Sequence, residues 1–398
     1  MNKKHIVYAD SAATTSLSQK ALDAMLPIYK NCFGNPSAVY SAGREAKSAL
    51  EEARAAAAKC IGANANEIYF TGSGTESDNW AITGAAASMK KNGKNHIITT
   101  AFEHHAVLHT CRALEKDGFR VTYLPVYENG IVKPRDFANS ITDKTGLVSV
   151  MYANNEIGTI QPIAELAEIC RENNILFHTD AVQAVGQVPI DVKTEKIDML
   201  SLSGHKLHGP KGIGILYIRS GVFLQNLLHG GEQERGRRSG TENVAGAVGL
   251  AAALEAACDT DAMKERAARL SYMRDRLISE ILKINRSLLN GDTSRRLPGN
   301  TSFCFEGIEG ESLLLMLDMQ GICASSGSAC TSGSIDPSHV LLAIGLPHSV
   351  ARGSVRFTFS EDNTDEDIDY IIEKLPPIIE RLRKMSPLWG AIQKGKEI

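Results

Sequence analysis

Between His96 and Asp180 the chain alternates short β-branched runs with stretches patterned like helices. His96-Ile-Ile-Thr-Thr100, Arg120-Val-Thr-Tyr-Leu124, Gly146-Leu-Val-Ser-Val-Met151 and Ile175-Leu-Phe-His-Thr179 read as strands, and helical patterns lie near 104–117 and 162–173. Such alternation is the mark of βαβ units, hence an α/β fold with a mostly parallel sheet covered on both faces. Ligands of such sheets bind outside the carboxyl ends of the strands. Four polar residues fall at strand ends: Thr75, His104, Asn155 and Asp180. At 398 residues the chain exceeds one ordinary core, so a large domain with a smaller one is expected.

Lys206 sits in a polar, Gly-rich turn between the apolar runs Ile197–Leu200 and Gly212–Ile218. A lysine held in a partly dry pocket has its charged form disfavoured, and its amine can form a Schiff base with an aldehyde. Ser203 and His205 flank it with donors suited to a phosphate. Lysine and phosphate donors on one loop suit pyridoxal phosphate (PLP). The segment Gly72-Ser-Gly-Thr-Glu-Ser-Asp78 follows a strand at Glu67–Thr71 and opens a helix to about Lys91. Thr75 reads as that helix's cap, with Asp78 at capping-box spacing, and the free N–H groups and dipole favour an anion. No Gly-Lys-Ser/Thr follows, which excludes a nucleotide P-loop. Asp180, directly after a strand, reads either as a helix cap or as the carboxylate that keeps a pyridine nitrogen protonated. His104 reads as a ring stacking on a flat cofactor or shuttling a proton. His105 and His109 have the i, i+4 spacing of a metal pair, but no third ligand is suggested. Thr241, in the Gly-rich run 230–243, fits a phosphate or a subunit contact.

A helix-forming stretch from about Val244 to Asn285 leads to a strand (Asn300–Phe305), a helix (Glu311–Met319) and the small-residue run Ser325–Ser334. That run has little to bury, so its Cys330 reads as a thiol on an exposed loop rather than a core residue. Gly353–Ser360 alternates like a strand, and its Arg356 is suited to a bidentate grip on a carboxylate. The formal charge of −3 favours neither nucleic acid nor an anionic membrane. The eight cysteines contain no C-x-x-C pair, no apolar run follows the first residues, and Ala245–Cys258 is too short to span a bilayer. A cytoplasmic protein with reduced thiols is expected.

Gly34-Asn-Pro-Ser37, Thr75-Glu-Ser-Asp-Asn79, Asn154-Asn-Glu156, His178-Thr-Asp-Ala-Val-Gln183, Ser203-Gly-His-Lys206, Arg238-Ser-Gly-Thr241 and Ser325-Ser-Gly-Ser-Ala-Cys330 occur together, and the match runs from about Tyr8 to Trp389. In this the chain resembles the cysteine desulfurases of the NifS/IscS class, within the fold-type I PLP enzymes. Gln233–Asn243 and the ending near Ser386–Trp389 are more similar to the NifS branch.

The resemblance implies a seven-stranded-type sheet in a large domain (15–260) and a smaller α+β domain (1–14 and 261–398) carrying a cysteine loop (325–334). It implies Lys206 as the Schiff-base lysine, Asp180 on the pyridine nitrogen, Gln183 on the ring hydroxyl and His104 against the ring. Gly74, Thr75, Ser203 and His205 would hold the phosphate, with Thr241 reaching it from the other subunit of a homodimer, and Gly204 and Asn155 would also bind the cofactor. Asn155 and Arg356 would position L-cysteine. Cys330 would take the sulfur as a persulfide, leaving L-alanine, and pass it to an iron–sulfur scaffold or other acceptor, with Cys330 a possible cluster ligand during transfer and no other metal site. A selenocysteine lyase or cysteine sulfinate desulfinase is the alternative, and a non-catalytic scaffold-binding protein a remote one.

Overall fold

The computed structural model describes residues 6–326 and 337–393. In chain order the strands are Val7–Tyr8 (β1), Ile68–Thr71 (β2), His96–Thr100 (β3), Arg120–Leu124 (β4), Thr145–Ser149 (β5), Leu176–Asp180 (β6), Met199–Ser203 (β7), Gly214–Ile218 (β8), Ser287–Leu289 (β9), Asn300–Phe305 (β10), Ile322–Cys323 (β11) and Ser354–Thr358 (β12). Seven of them form one sheet in the order β2-β8-β7-β6-β5-β3-β4. Only β8 runs against its neighbours, pairing antiparallel with both β7 and β2. The reason is local: the connection from β7 to β8 is the turn that holds Lys206, and it contains no crossover helix to bring the chain back parallel.

Every residue of β3, β5, β7 and β8 is buried, as expected of strands covered on both faces. Successive side chains point to opposite faces, and the packing follows them. Along β8, Ile215 and Tyr217 join one apolar cluster while Leu216 and Ile218 join the other. The first cluster takes in Leu50 and Ala57 of helix Ser41–Cys60 and Leu250 and Leu254 of helix Val244–Cys258. The second takes in Trp80, Ile82 and Met89 of helix Gly74–Lys91 and Val107 of helix His105–Lys116. Helix Gly74–Lys91 carries small residues where it comes close to its neighbours. A Cβ on Gly84 would lie 2.7 Å from the Gln225 carbonyl oxygen.

A third cluster joins Val7, Leu277, Phe303, Phe305, Phe357 and Ile371. It is built on β10, which pairs antiparallel with β9 and β12, together with helices Thr260–Ile281 and Asp365–Met385. The short β1 pairs in parallel with β11, so the first described residues join this later part of the chain.

The helical stretch expected from Val244 to Asn285 is two helices, Val244–Cys258 and Thr260–Ile281. Asp259 separates them: its side chain accepts the Ala262 N–H and caps the second helix, the usual way a short carboxylate competes with a continuous helix. The cap expected at Thr75 is a second correction. Thr75 lies inside the helix, and Ser73 is the cap, its Oγ accepting the Glu76 N–H at 3.1 Å.

Candidate active site

At the carboxyl ends of β2, β3, β5, β6 and β7 lies a cavity of about 410 Å³. Gly74, Thr75, His104, Asn155, Asp180, Gln183, Ser203, His205, Lys206 and Arg356 all line it. Gly204 follows Ser203 and is buried. A Cβ there would come within 2.9 Å of the Pro210 carbonyl oxygen, so it offers backbone only. Thr241 is exposed and is not part of this wall. Cys330 lies outside the described residues.

Lys206 closes the single 3-10 turn Gly204–Lys206 after β7. Its Nζ donates to the carbonyl oxygens of Ala12 (2.6 Å) and Ala13 (2.8 Å). Gln183 Nε2 donates to the same Ala12 oxygen at 2.9 Å. The short N-terminal strap thus holds two of the expected cofactor contacts at once.

Asp180 is buried at the end of β6 and accepts the Val182 N–H. Burial pushes its pKa up, while the nearby His104, the Val182 N–H and the Lys206 amine pull it back. Ligating atoms of Asp78, His104 and Asp180 lie within 4.8 Å of one another. Asp78 is buried too, and burial together with the Asp180 charge pushes it well above the usual carboxylate range. Along the sequence Asp78 stands at capping-box spacing from Thr75. Its place one turn beyond Gly74 is the signal that could have put it on the cavity side of the helix. His178 lies 3.6 Å from Asp78 Oδ1 and is bonded to Ser149 and Ser201. Burial pushes its pKa down to about 3, so it stands there neutral.

His104 caps helix His105–Lys116, its Nδ1 accepting the Ala106 N–H at 3.1 Å. Burial pushes its pKa down. With Nδ1 an acceptor, the neutral ring carries its proton on Nε2. His205 is pushed down to about 4 by burial and by Lys206 and Lys211, and its Nδ1 lies 3.2 Å from Thr14 Oγ1.

The start of helix Gly74–Lys91 forms a cradle. The first N–H groups of a helix have no intrahelical partner. Ser73 satisfies that of Glu76, and the Glu76 carboxylate accepts the Gly72 N–H and pairs with Arg238. This leaves the Gly74 and Thr75 end for a ligand. A Cβ on Gly74 would lie 2.7 Å from Val182 Cγ2, so only glycine lets the backbone line the cavity here.

Arg356, on β12, donates from Nη1 to the Asn155 carbonyl (2.7 Å) and from Nη2 to Asp10 Oδ1 (2.8 Å). Among the described residues the buried Asp78 Oδ1 and Arg356 Nε have no hydrogen-bond partner. Such orphans in a cavity wall mark where a ligand's groups belong. The donor set fits PLP: anion-binding N–H groups and a neutral His205 at the helix start, an amine at Lys206, and a carboxylate at Asp180.

The structure brings a third ring to the His105 and His109 pair. Ring centroids of His105 lie 5.0 Å from His109 and 4.7 Å from His339. Their donor atoms do not converge, however. Among the described residues the only trio of ligating atoms that close is Asp78, His104 and Asp180, inside the cavity already described.

The model of the aminotransferase class-V family matches residues 7–371. The chain belongs to this family. It is 57% identical, over 100% of both chains, to a protein named cysteine desulfurase IscS from Clostridium botulinum (strain Hall). Among solved structures, a NifS-like protein superposes with a TM-score of 0.89 at 39% identity, covering 95% of this chain and all of the other. A structure titled SspA in complex with cysteine superposes at 0.78 with 36% identity, covering 90% of this chain and all of the other. The expected class and the expected α/β fold with a mostly parallel seven-stranded sheet both hold for this class-V chain. The relatives' names span both the IscS and NifS halves of the class.

Proposed function

We propose that this chain is a PLP-dependent cysteine desulfurase that converts L-cysteine to L-alanine and takes the sulfur onto Cys330 as a persulfide, for iron–sulfur cluster assembly. One observation carries the reading. An amine (Lys206), a buried carboxylate (Asp180) and a buried guanidinium (Arg356) meet in one cavity, in a chain 57% identical over its whole length to a cysteine desulfurase.

When bound, PLP supplies an electron sink for the charge left as a bond to the substrate α-carbon breaks. Lys206 Nζ, steered by the Ala12 and Ala13 carbonyls, would hold the cofactor through its aldehyde and is the amine placed to move the substrate's α-proton. Asp180 would keep a proton on the ring nitrogen. That cation would favour the ionised form of Asp180, against the upward push of burial. His104 would lie against the ring, Gln183 would take its hydroxyl, Gly74, Thr75, Ser203 and His205 would hold the phosphate, and Gly204 would line the cofactor with its backbone. Asn155 and Arg356 take the amino acid. The Cys330 thiolate attacks the substrate sulfur. The S–S bond forms as the carbon–sulfur bond breaks, and a proton returns to the carbon to complete alanine.

A homodimer fits the surface. Phe33 (85% exposed) and Val39 (87% exposed) stand in the open with Tyr29 and Tyr40, a run of exposed apolar side chains that a second copy would cover. In such a dimer Thr241 would complete the partner's phosphate site. The division into residues 15–260 and 1–14 with 261–398 agrees with a third apolar cluster built mostly from the later part. No helix among the described residues is long and apolar enough to cross a membrane, and the seven described cysteines are unpaired. A reducing cytoplasm is the compartment this suits.

The test is to record the visible spectrum of the purified protein, add L-cysteine with a reductant, and assay alanine and sulfide. A yellow protein that gives both products, and whose Cys330→Ser variant keeps the colour but loses sulfur transfer, bears the reading out. A yellow protein indifferent to cysteine points to selenocysteine or cysteine sulfinate. A Cys330→Ser variant that releases sulfide at the parent rate removes the persulfide step. A colourless protein that cannot be reconstituted with PLP sinks the mechanism and favours the non-catalytic scaffold-binding reading.

A further inference from the structure

The substrate end of the cavity is arranged around one guanidinium. Arg356 is 6% exposed, so each of its five N–H groups needs an acceptor or stands at a cost. The Asn155 carbonyl takes Nη1 and Asp10 Oδ1 takes Nη2, which engages both terminal nitrogens. Among the described residues Nε has no acceptor although it is buried. An amino-acid carboxylate arriving at this arginine therefore finds one N–H of each terminal nitrogen already taken. It finds the Nε edge open.

Asp10 has a second task. Its Oδ2 accepts from Ser325 Oγ at 2.9 Å. Ser325 also exchanges backbone hydrogen bonds with Arg356, at 3.2 and 2.6 Å. Asp10 itself bridges to Thr358 on the same strand as Arg356. One carboxylate thus fixes both the arginine and the residue five positions before Cys330 in sequence.

We infer that Asp10 is a positioning residue for the substrate. Together with the Asn155 carbonyl it turns Arg356 so that the Nε edge receives the α-carboxylate, and it thereby favours α-amino acids over amines lacking that group. This rests on the reading of the chain as a cysteine desulfurase. Asp10 acts through Arg356 and need not touch the substrate itself. Its placement matters more than its charge, because an amide oxygen at Oδ1 could still accept from Nη2 while the amide nitrogen meets Ser325 Oγ.

The test compares the PLP-loaded parent with Asp10→Ala and Asp10→Asn. KM and kcat are measured for L-cysteine, and kcat/KM for L-cysteine against cysteamine, which has no carboxylate. Separately, calorimetry measures 3-mercaptopropionate, a carboxylate with a thiol and no amine, binding to the cofactor-free proteins. The expected result for Asp10→Ala is at least a tenfold rise in KM for cysteine with kcat within a few-fold. The preference over cysteamine should fall by a similar factor, as should 3-mercaptopropionate affinity. Asp10→Asn should recover most of each loss. The inference is overturned if Asp10→Ala leaves KM and carboxylate affinity unchanged, or if it lowers KM, which would make Asp10 a competitor of the substrate. Equal impairment of Asp10→Asn and Asp10→Ala would also overturn it. A parent that makes neither alanine nor sulfide from cysteine would refute the functional reading, while the calorimetric arm would still decide the carboxylate grip.

Discussion

The edge of the main sheet is held by a buried ion pair whose loss should be measurable. Arg54 and Glu234 are both 2% exposed and meet through two hydrogen bonds, at 2.7 and 2.9 Å. Glu234 also accepts the Phe70 N–H, and Arg54 also donates to the Ile68 carbonyl, so the pair is tied into β2. Glu234 and Arg235 both sit at positive φ (47° and 59°), a left-handed conformation that costs a residue with a side chain roughly 1–2 kcal/mol. The bonds of Glu234 hold that conformation in place. Glu234→Gln keeps the shape and removes the charge, leaving the buried Arg54 with only the half-exposed Glu51 carboxylate, 3.2 Å from its Nε, as counter-ion, a weakening that should cost about 1–3 kcal/mol. Unfolding entropy near 2.1 cal/mol/K per residue comes to about 0.84 kcal/mol/K over 398 residues, so the melting temperature should fall by about 1–4 °C. Differential scanning fluorimetry of the PLP-loaded protein measures this. Replacing both partners, in Arg54→Met/Glu234→Met, should recover a good part of the loss, since two apolar groups leave no unpaired charge. A Glu234→Gln protein melting within 1 °C of the parent would refute the argument, because the pair would then be holding neither the loop nor the edge strand.

Two other outcomes follow from buried groups. Burial pushes Glu103 up to about 8 from an ordinary 4.5, so across that window the folded chain holds a proton that the unfolded chain has lost. Stability should therefore decline as pH rises from about 5 to 8. Glu103→Gln, whose amide oxygen still accepts from Thr100 and Met151, should flatten that slope in melting curves, raising the midpoint at pH 8 relative to the parent and leaving it similar at pH 5. Gly74→Ala should weaken PLP binding at least several-fold in a fluorescence titration, because its Cβ would lie 2.7 Å from Val182 Cγ2 at the helix start.

Much of this arrangement can be read along the chain. β3, β4 and β10 begin and end where the runs His96–Thr100, Arg120–Leu124 and Asn300–Phe305 do, because turn residues or a change of pattern bound each run. The strand-end residues Thr75, His104, Asn155 and Asp180 do line one cavity, as the topology of a parallel sheet requires. Other features depend on contacts that spacing does not encode. Asp10 meets Arg356 across 346 positions, and no local pattern links the two. His339 joins His105 only through tertiary packing. The Ser73 cap was legible, since Ser73-Gly-Thr-Glu76 has the Ser-x-x-Glu form, but it competed with Thr75-Glu-Ser-Asp78 two residues on. The break at Asp259 carries no glycine or proline and is visible only as a polar interruption, Asp259-Thr-Asp261.

The strap formed by residues 7–14 joins β11 through β1, bonds to Thr358 through Ser11 and Ala12, and clasps Lys206 and Arg356. For protein recombination this makes the two ends of the chain a single heritable unit. A chimaera that drew its first fourteen residues from one parent and its β11–β12 region from another would mismatch the strap. Its central sheet could remain intact while the lysine and the arginine lost their common registration. Crossovers that keep the two ends together and exchange the middle would preserve it, so sequence variation at Asp10 and around Arg356 should travel together among viable recombinants.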